Sequence, residues 1–378
     1  YTTLFRSSDA MNNLANYYET IEKNYDLMKK YYLMAIEHDN YIAMNNLALY
    51  YETIEKNYDL MKKYYLMGIE LNNCNSMRDL AYYYETTEKN YDLMKKYYLM
   101  AIEQNDSEAM FRLGHHYHRI EHNYDLMKKY YLMSIDLDNV ESMYYLGSYY
   151  DNIEKNHDLM KKYYLMAIEN KCSESMNNLA HYYETIEKNH DLMKKYYLMA
   201  IEHDNYIAMN NLAHYYEMTE KNYDSMKKYY LMAIENKYSK SMNNLAHYYE
   251  TIEKNYDLMK KYYLMAIEYD DCIAMNNLAL YYETIEKNYD LMKKYYLMAI
   301  EYENFDAFNL LSKIMNIINI YFSIKNKDFV MKNIDNDHIA NIENFINNTS
   351  KQICHSCYLE YDCCLKNDIY FSSIRRVG

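Results

Sequence analysis

Apolar side chains recur along this chain at two spacings at once. At short range, Met44, Leu47, Ala48 and Tyr51 fall at i, i+3, i+4 and i+7, and Met61, Tyr64, Tyr65 and Gly68 repeat that spacing a little further on. Each set lines one face of a helix, so the pattern predicts two amphipathic helices joined by a short polar link. At long range, Met11, Met44, Met77, Met110, Met143, Met176, Met209, Met242 and Met275 stand 33 residues apart, and Phe308 continues the series. The phrase DLMKKYYLM follows in each unit from Asp26 to Asp290, with Ser225 once in place of Leu. Each helix has an apolar stripe too narrow to be buried alone, so neighbouring units must stack and share one core. The expected fold is an all-α solenoid of nine helix-turn-helix units.

Polar punctuation agrees with the two-helix reading. Four residues before each marker stand Ser7, Asn40, Asn73, Asp106, Asn139, Asn205, Asp271 and Asn304, all able to accept the free amide hydrogens of a first turn. Cys172 and Tyr238 interrupt this series, and each is followed by a Ser, so the cap is expected to shift there to Ser173 or Ser239. The second helix is expected to start at Asn57 or Asp59. Small residues follow the Leu of each first helix, from Ala15 and Ala48 through Gly114, Gly147 and Ala180 to Ser312, and their counterparts in the second helix run from Ala35 through Gly68 to Ala299. Small side chains let helices pack closely, and a large one at Ala180 is expected to cost about 1 to 3 kcal/mol.

Composition narrows the function classes. The chain has no Pro, no Trp and four Gly among 378 residues, which leaves few positions that tolerate a positive φ and predicts few sharp turns. A net charge of −14 spread over the repeats opposes nucleic-acid binding, which needs a basic stripe. Apolar runs such as YYLMAI fall far short of the roughly 20 residues of a membrane span. Three Cys stand alone at Cys74, Cys172 and Cys272, which is no disulfide framework and points to a reducing, intracellular, soluble setting. The opening YTTLFRSSDA lacks an initiating Met, as a fragment would. No Gly-rich phosphate loop, nucleophile elbow or HExxH helix is present, and no enzyme is expected.

The string MKKYYLMAIEHDNYIAMNNLALYY, from Met28 into the next unit, resembles the Sel-one-like repeat (SLR) of the tetratricopeptide superfamily. Tyr31, Tyr32, Ala35, Ala43, Leu47 and Ala48 occupy the family's aromatic pair and small positions, while Met28 is larger than the family's small residue there. The family's Gly-rich link is replaced by a shorter TIEKN-type link, and its Gly after Leu is mostly Ala. The resemblance covers about four fifths of the chain. It implies a right-handed α/α superhelix whose first helices line a concave face, and a protein-binding scaffold or adaptor. The wealth of Asn, Lys, Tyr and Ile is similar to that of proteins from AT-rich genomes such as those of giant amoeba viruses.

On the first helices one position changes from unit to unit, reading Asn16, Leu49, Tyr82, His115, Ser148, His181, His214, His247 and Leu280. Beside it lie Asn residues such as Asn45 and carboxylates such as Glu184, Glu217 and Glu250. This ladder is expected to hold a protein or peptide partner, of basic character if the carboxylates attract it. Units four and five depart most from the repeat, and Phe111, Arg112, His115, His118, Tyr144 and Tyr145 are the candidates for partner specificity. His181, His214 and His247 come one per unit, too far apart to share one ion.

The domain plan is an array over 1–306, a degenerate tenth repeat with capping helices over 307–345, and a Cys-containing tail over 346–378. In the tail Cys354, Cys357, Cys363 and Cys364, with His355 among them, are candidate zinc ligands, though adjacent Cys fit one ion poorly. No other cofactor is expected. The alternative function is a substrate-recruiting or regulatory subunit with a remnant of a ubiquitin-ligase-like zinc module.

Overall fold

The computed structural model describes residues 7–302, and all regular structure among them is helical. Phe308, Ser312, Asn304, the segment 307–345 and the Cys354–Cys364 cluster lie outside the described residues. The chain divides into two units, 1–241 and 242–378, and the division falls within the first helix of repeat 8. Repeats 1 to 7 fill the first unit, and most of repeat 8 with repeat 9 lies in the second.

One repeat shows how the sequence builds the rest. In repeat 2 the helices are Tyr41–Thr53 and Tyr58–Glu70. All eight residues of the two apolar sets are buried, Leu47, Ala48, Met61 and Tyr65 completely. Asn40 caps the first helix through Ala43 N–H at 2.8 Å, and Asn57 caps the second through Leu60 N–H at 3.2 Å. Asp59 sits inside the first turn, where its charge suits the positive helix end.

Two expectations fail, each for a local reason. The cap does not shift at Cys172: the helix Ser173–Thr185 starts as its siblings do, and Cys172 occupies the cap position, its sulfur accepting from the Ser175 hydroxyl at 3.3 Å without the side-chain cap bond its siblings make. Ser173 is already helical, and its hydroxyl accepts from Asn205 of the next repeat at 3.2 Å. The helix of repeat 8 likewise takes Ser239 as its first residue.

The second failure concerns turns. Each hairpin closes through a left-handed residue that is never Gly: Lys23, Lys56, Lys89, His122 and their equivalents after first helices, and Asp39, Asn72, Asn105 and theirs after second helices, with φ between 52° and 64°. The turns are sharp despite the lack of Gly because hydrogen bonds over-determine them. Asp39 N–H reaches Ile36 O at 3.0 Å and Asn40 N–H reaches Ala35 O at 3.3 Å, the paired bonds of a Schellman end. After the first helix the closure is wider. Glu55 N–H bonds Tyr50 O at 3.3 Å and Asn57 N–H bonds Tyr51 O at 2.9 Å, and in repeats 7, 8 and 9 this becomes a π turn over Tyr216–Glu220, Tyr249–Glu253 and Tyr282–Glu286.

Within the first unit, three kinds of contact lock a repeat to the next. Tyr58 tilts against Tyr83 with ring centroids 5.3 Å apart. Lys29 pairs with Glu55 at 2.7 Å, and Glu55 also accepts from the Tyr50 hydroxyl at 3.0 Å. The Ser76 hydroxyl donates to Asn45 Oδ1 at 3.0 Å. Inside a repeat, Tyr51 and Tyr64 stack at 5.7 Å and 5°. In the second unit, Tyr256 against Tyr281 and Tyr282 against Tyr295 repeat these arrangements.

Candidate binding face of the first helices

A fully buried tyrosine anchors the first-helix face of most repeats. It is the second Tyr of each YY pair, and its hydroxyl donates to a Glu of the first helix: Tyr32 to Glu19, Tyr65 to Glu52, Tyr98 to Glu85, Tyr197 to Glu184, Tyr230 to Glu217, Tyr263 to Glu250 and Tyr296 to Glu283, all between 2.8 and 3.0 Å. Burial pushes the Tyr65 and Tyr98 hydroxyls well above the usual tyrosine range. Burial also raises the Glu52 carboxyl, although the Tyr65 bond opposes it. At Glu184 burial again pushes upward, but the nearby His181 ring and the bond from Tyr197 outweigh it and hold the carboxyl below its ordinary value.

This bond changes what the predicted face offers. Glu184, Glu217 and Glu250, expected to face a basic partner, each have one oxygen engaged inside their own repeat. Their histidines lie beside them, His181 Nδ1 at 3.8 Å from Glu184, His214 at 3.9 Å from Glu217 and His247 at 3.8 Å from Glu250. The Asn ladder is also committed to the array. Asn45 is half-buried, its Nδ2 donates to Asp79 at 3.2 Å and its Oδ1 accepts from Ser76. Asn12, Asn177, Asn210 and Asn243 are buried, and Asn211 donates to Asn177 at 3.2 Å as Asn277 does to Asn243 at 3.1 Å. The amides join neighbouring first helices where a free peptide ligand was expected to meet them.

What the face leaves open is the variable position. Leu49, Tyr82, His181, His247 and Leu280 are exposed there, while Asn16, His115, Ser148 and His214 are half-buried. Arg112 lies over the Tyr82 ring at 4.7 Å and pairs with Glu108 at 2.8 Å.

Repeats 4 and 5 break the tyrosine–glutamate rule. His118 replaces the Glu of repeat 4, and among the described residues the buried Tyr131 hydroxyl has no hydrogen-bond partner, nor has His118 Nδ1. Asp151 replaces it in repeat 5, and the Tyr164 hydroxyl accepts instead from Asn178 at 3.3 Å. The aromatic candidates gather here: Phe111 lies 6.0 Å from Tyr131 and 5.6 Å from Tyr145, His115 lies 5.1 Å from Tyr145, and Tyr144 lies 5.1 Å from Tyr145. Burial pushes His118 down to about 4, with His115, Arg119 and His122 adding to the effect, so its ring is neutral at physiological pH. The structure therefore brings Phe111, His115, His118, Tyr144 and Tyr145 into one cluster, with Arg112 on the same helix.

The Tyr–Glu bond was missed from the sequence because its partners sit on different helices, thirteen residues apart. The recurrence of both residues at the repeat period was the available signal. Among the described residues, no group of three or more His, Cys, Asp or Glu could hold a metal ion, and no helix is long and apolar enough to cross a membrane.

No family model matches the chain, and no curated protein does. Among solved structures, a protective antigen of uropathogenic Escherichia coli displaying an SLR fold matches 80% of this chain and 70% of its own at 21% identity and a TM-score of 0.54. A Sel1 repeat protein from Oxalobacter formigenes matches 53% of this chain and 92% of its own at 19% identity and a TM-score of 0.44. A human IFIT1 dimer with PPP-AAAA matches 80% and 84% at 15% identity and a TM-score of 0.37. In fold, then, this chain is similar to the SLR protein of Escherichia coli, with paired helices repeated along an all-α chain.

Proposed function

We propose that the chain is a non-catalytic scaffold or adaptor that holds protein or peptide partners along its first helices. One observation carries this reading. A rigid frame of buried Tyr, Asn and Glu repeats from unit to unit, while the position it presents outward changes among Leu49, Tyr82, His181 and Leu280. Changing side chains on a fixed frame is what recognition of an irregular partner requires, and packing alone gives no reason for it. A protein partner is favoured over nucleic acid by the net charge of −14. The wide spacing of Cys74, Cys172 and Cys272 along the sequence suits a reducing, intracellular setting.

Selection of peptides from a random display library on the full chain tests the reading. A variant carrying Leu49→Ser, Tyr82→Ser and His181→Ser, with unchanged helical circular dichroism, is expected to lose the selected peptides. Retention of the same peptides at the same affinity would count against this face. The alternative, a recruiting subunit with a zinc-binding tail, rests on the spacing of Cys354, Cys357, Cys363 and Cys364. Stoichiometric zinc that disappears on changing Cys354 and Cys357 would support it.

A further inference from the structure

Repeat 4 differs from its siblings in chemistry as well as in sequence. In seven other repeats the buried tyrosine hydroxyl donates to a carboxylate supplied by the chain itself. Tyr131 is as buried as any of them, at 0% exposure, and its hydroxyl has no acceptor among the described residues. An unmet buried donor is costly, so a site that keeps one has a reason to be completed from outside. His118 stands where the siblings carry Glu, with its ring edge-on to Tyr131 at 6.4 Å between centroids. It is only half-buried, and side chains at interfaces commonly change rotamer on binding.

The surrounding charge points to the sign of the missing group. Among the described residues the only arginines are Arg78, Arg112 and Arg119, all on the first helices of repeats 3 and 4. Arg78 is paired with Asp106 at 2.8 Å and Arg112 with Glu108. Arg119 is exposed, and it lies near enough to Tyr131, His115 and His118 to act on all three electrostatically. In an acidic chain this repeat thus presents a cation beside a buried hydroxyl donor, with Phe111 and Tyr145 as an apolar wall.

We propose that the first-helix face of repeat 4 takes an acidic side chain of a peptide partner, whose carboxylate accepts from the Tyr131 hydroxyl and pairs with Arg119 as the His118 ring swings aside. The partner's carboxylate does for repeat 4 what Glu52 does for repeat 2. This rests on the scaffold reading above and sharpens it, since it sets the sign of the partner's charge at this point opposite to that expected from the carboxylates of other repeats.

The test uses the full chain and three fluorescein-labelled peptide pools, identical except that a central position is fixed as Glu, Gln or Lys. The Glu pool is expected to bind at least about tenfold tighter than the Gln pool, and the preference to vanish in Tyr131→Phe and in Arg119→Ala. His118→Glu is the decisive variant, because it restores the chain's own acceptor. It is expected to raise the melting temperature and abolish the Glu preference together, so that loss of binding is not loss of fold. Equal binding of the Glu and Gln pools overturns the acidic specificity and leaves the scaffold reading intact. No binding of any pool overturns both. A Glu preference unchanged by Tyr131→Phe and His118→Glu places the carboxylate elsewhere and overturns the proposal.

Discussion

Tyr65 donates its hydroxyl hydrogen to Glu52 at 3.0 Å, from the second helix of repeat 2 back to the first. The bond closes the hairpin on its inner side and gives a half-buried carboxylate a donor. Tyr65→Phe keeps the ring and removes the donor, and should cost about 1 to 3 kcal/mol at neutral pH. Burial already raises the Glu52 carboxyl, and losing this bond raises it further. The cost of the substitution should therefore shrink as Glu52 becomes protonated. Urea melts of the variant at pH 7 and in mild acid check both statements, and equal losses at the two pH values would contradict the assignment.

The Lys–Glu pairs between repeats make a different pH prediction. Pairing with Lys29, Lys95, Lys161, Lys194 and Lys260 holds Glu55, Glu121, Glu187, Glu220 and Glu286 below the ordinary 4.5. A carboxylate lowered on folding contributes stability that is complete above its unfolded value and lost as pH falls through its folded one. Glu52, Asp79 and Asp151, raised by burial, act in the opposite direction. With the paired set in the majority, the melting temperature should fall below pH 4.5. Glu187→Gln should blunt the fall, and high salt should weaken these exposed pairs. Thermal melts across pH 3 to 7, a range chosen to bracket carboxylate titration, decide the matter.

Among the described residues, seventeen turns hold a non-Gly residue at positive φ. Lys155, at φ 55°, is a probe whose charge also lowers the half-buried Asp151 carboxyl, so the measurement is made in mild acid as well as at pH 7. Lys155→Gly should stabilise the chain by about 1 kcal/mol by relieving the left-handed penalty. A chemical-denaturation midpoint that falls instead would mean that the added freedom of the unfolded chain outweighs the relief.

Cys172 has the backbone of a helix cap, with φ −68° and ψ 104°, but its sulfur accepts from the Ser175 hydroxyl at 3.3 Å and makes no side-chain cap bond. Cys172→Asn should supply the bond that Asn205 makes to Ala208 N–H at 2.9 Å and add about 1 kcal/mol. A crystal structure of the variant would show the amide oxygen on Ser175 N–H if the reasoning holds.

The small position of the first helix is a packing constraint. A Cβ on Gly147 would lie 2.7 Å from Tyr164 Cδ1, and one on Gly114 would lie 2.8 Å from Tyr131 Cδ1. Ala180 is fully buried at the equivalent place. Ala180→Leu should cost about 1 to 3 kcal/mol or more, read as a drop in melting temperature.

Much of the fold was legible because its signals are local. The spacing of Met44, Leu47, Ala48 and Tyr51 records which side of a helix turns inward, and the 33-residue recurrence records that each such side needs a neighbour. Caps at Asn40 and Asn57 were readable for the same reason, since a cap acts within three residues. Where local rules met a stronger constraint they gave way. Cys172 stayed in the cap position because the helix register is fixed by the buried Met176 and Ala180, and the turns adopted left-handed Lys and Asp because a helix end with paired bonds outweighs the preference for Gly.

The face of the first helices was only half legible. Its outward position was visible as the one that varies, and the cluster of Phe111, His115, His118, Tyr144 and Tyr145 was visible as the place where the repeat is broken. The roles of Asn45, Glu184, Glu217 and Glu250 were not, because whether a polar side chain faces a partner or a neighbouring repeat depends on what lies across from it. The sequence by itself determined the helices, their pairing and their period, since these follow from periodicity and capping along a single segment. Tertiary structure alone decided which polar groups are satisfied and which, like the Tyr131 hydroxyl, are not, because satisfaction joins residues that only packing brings face to face.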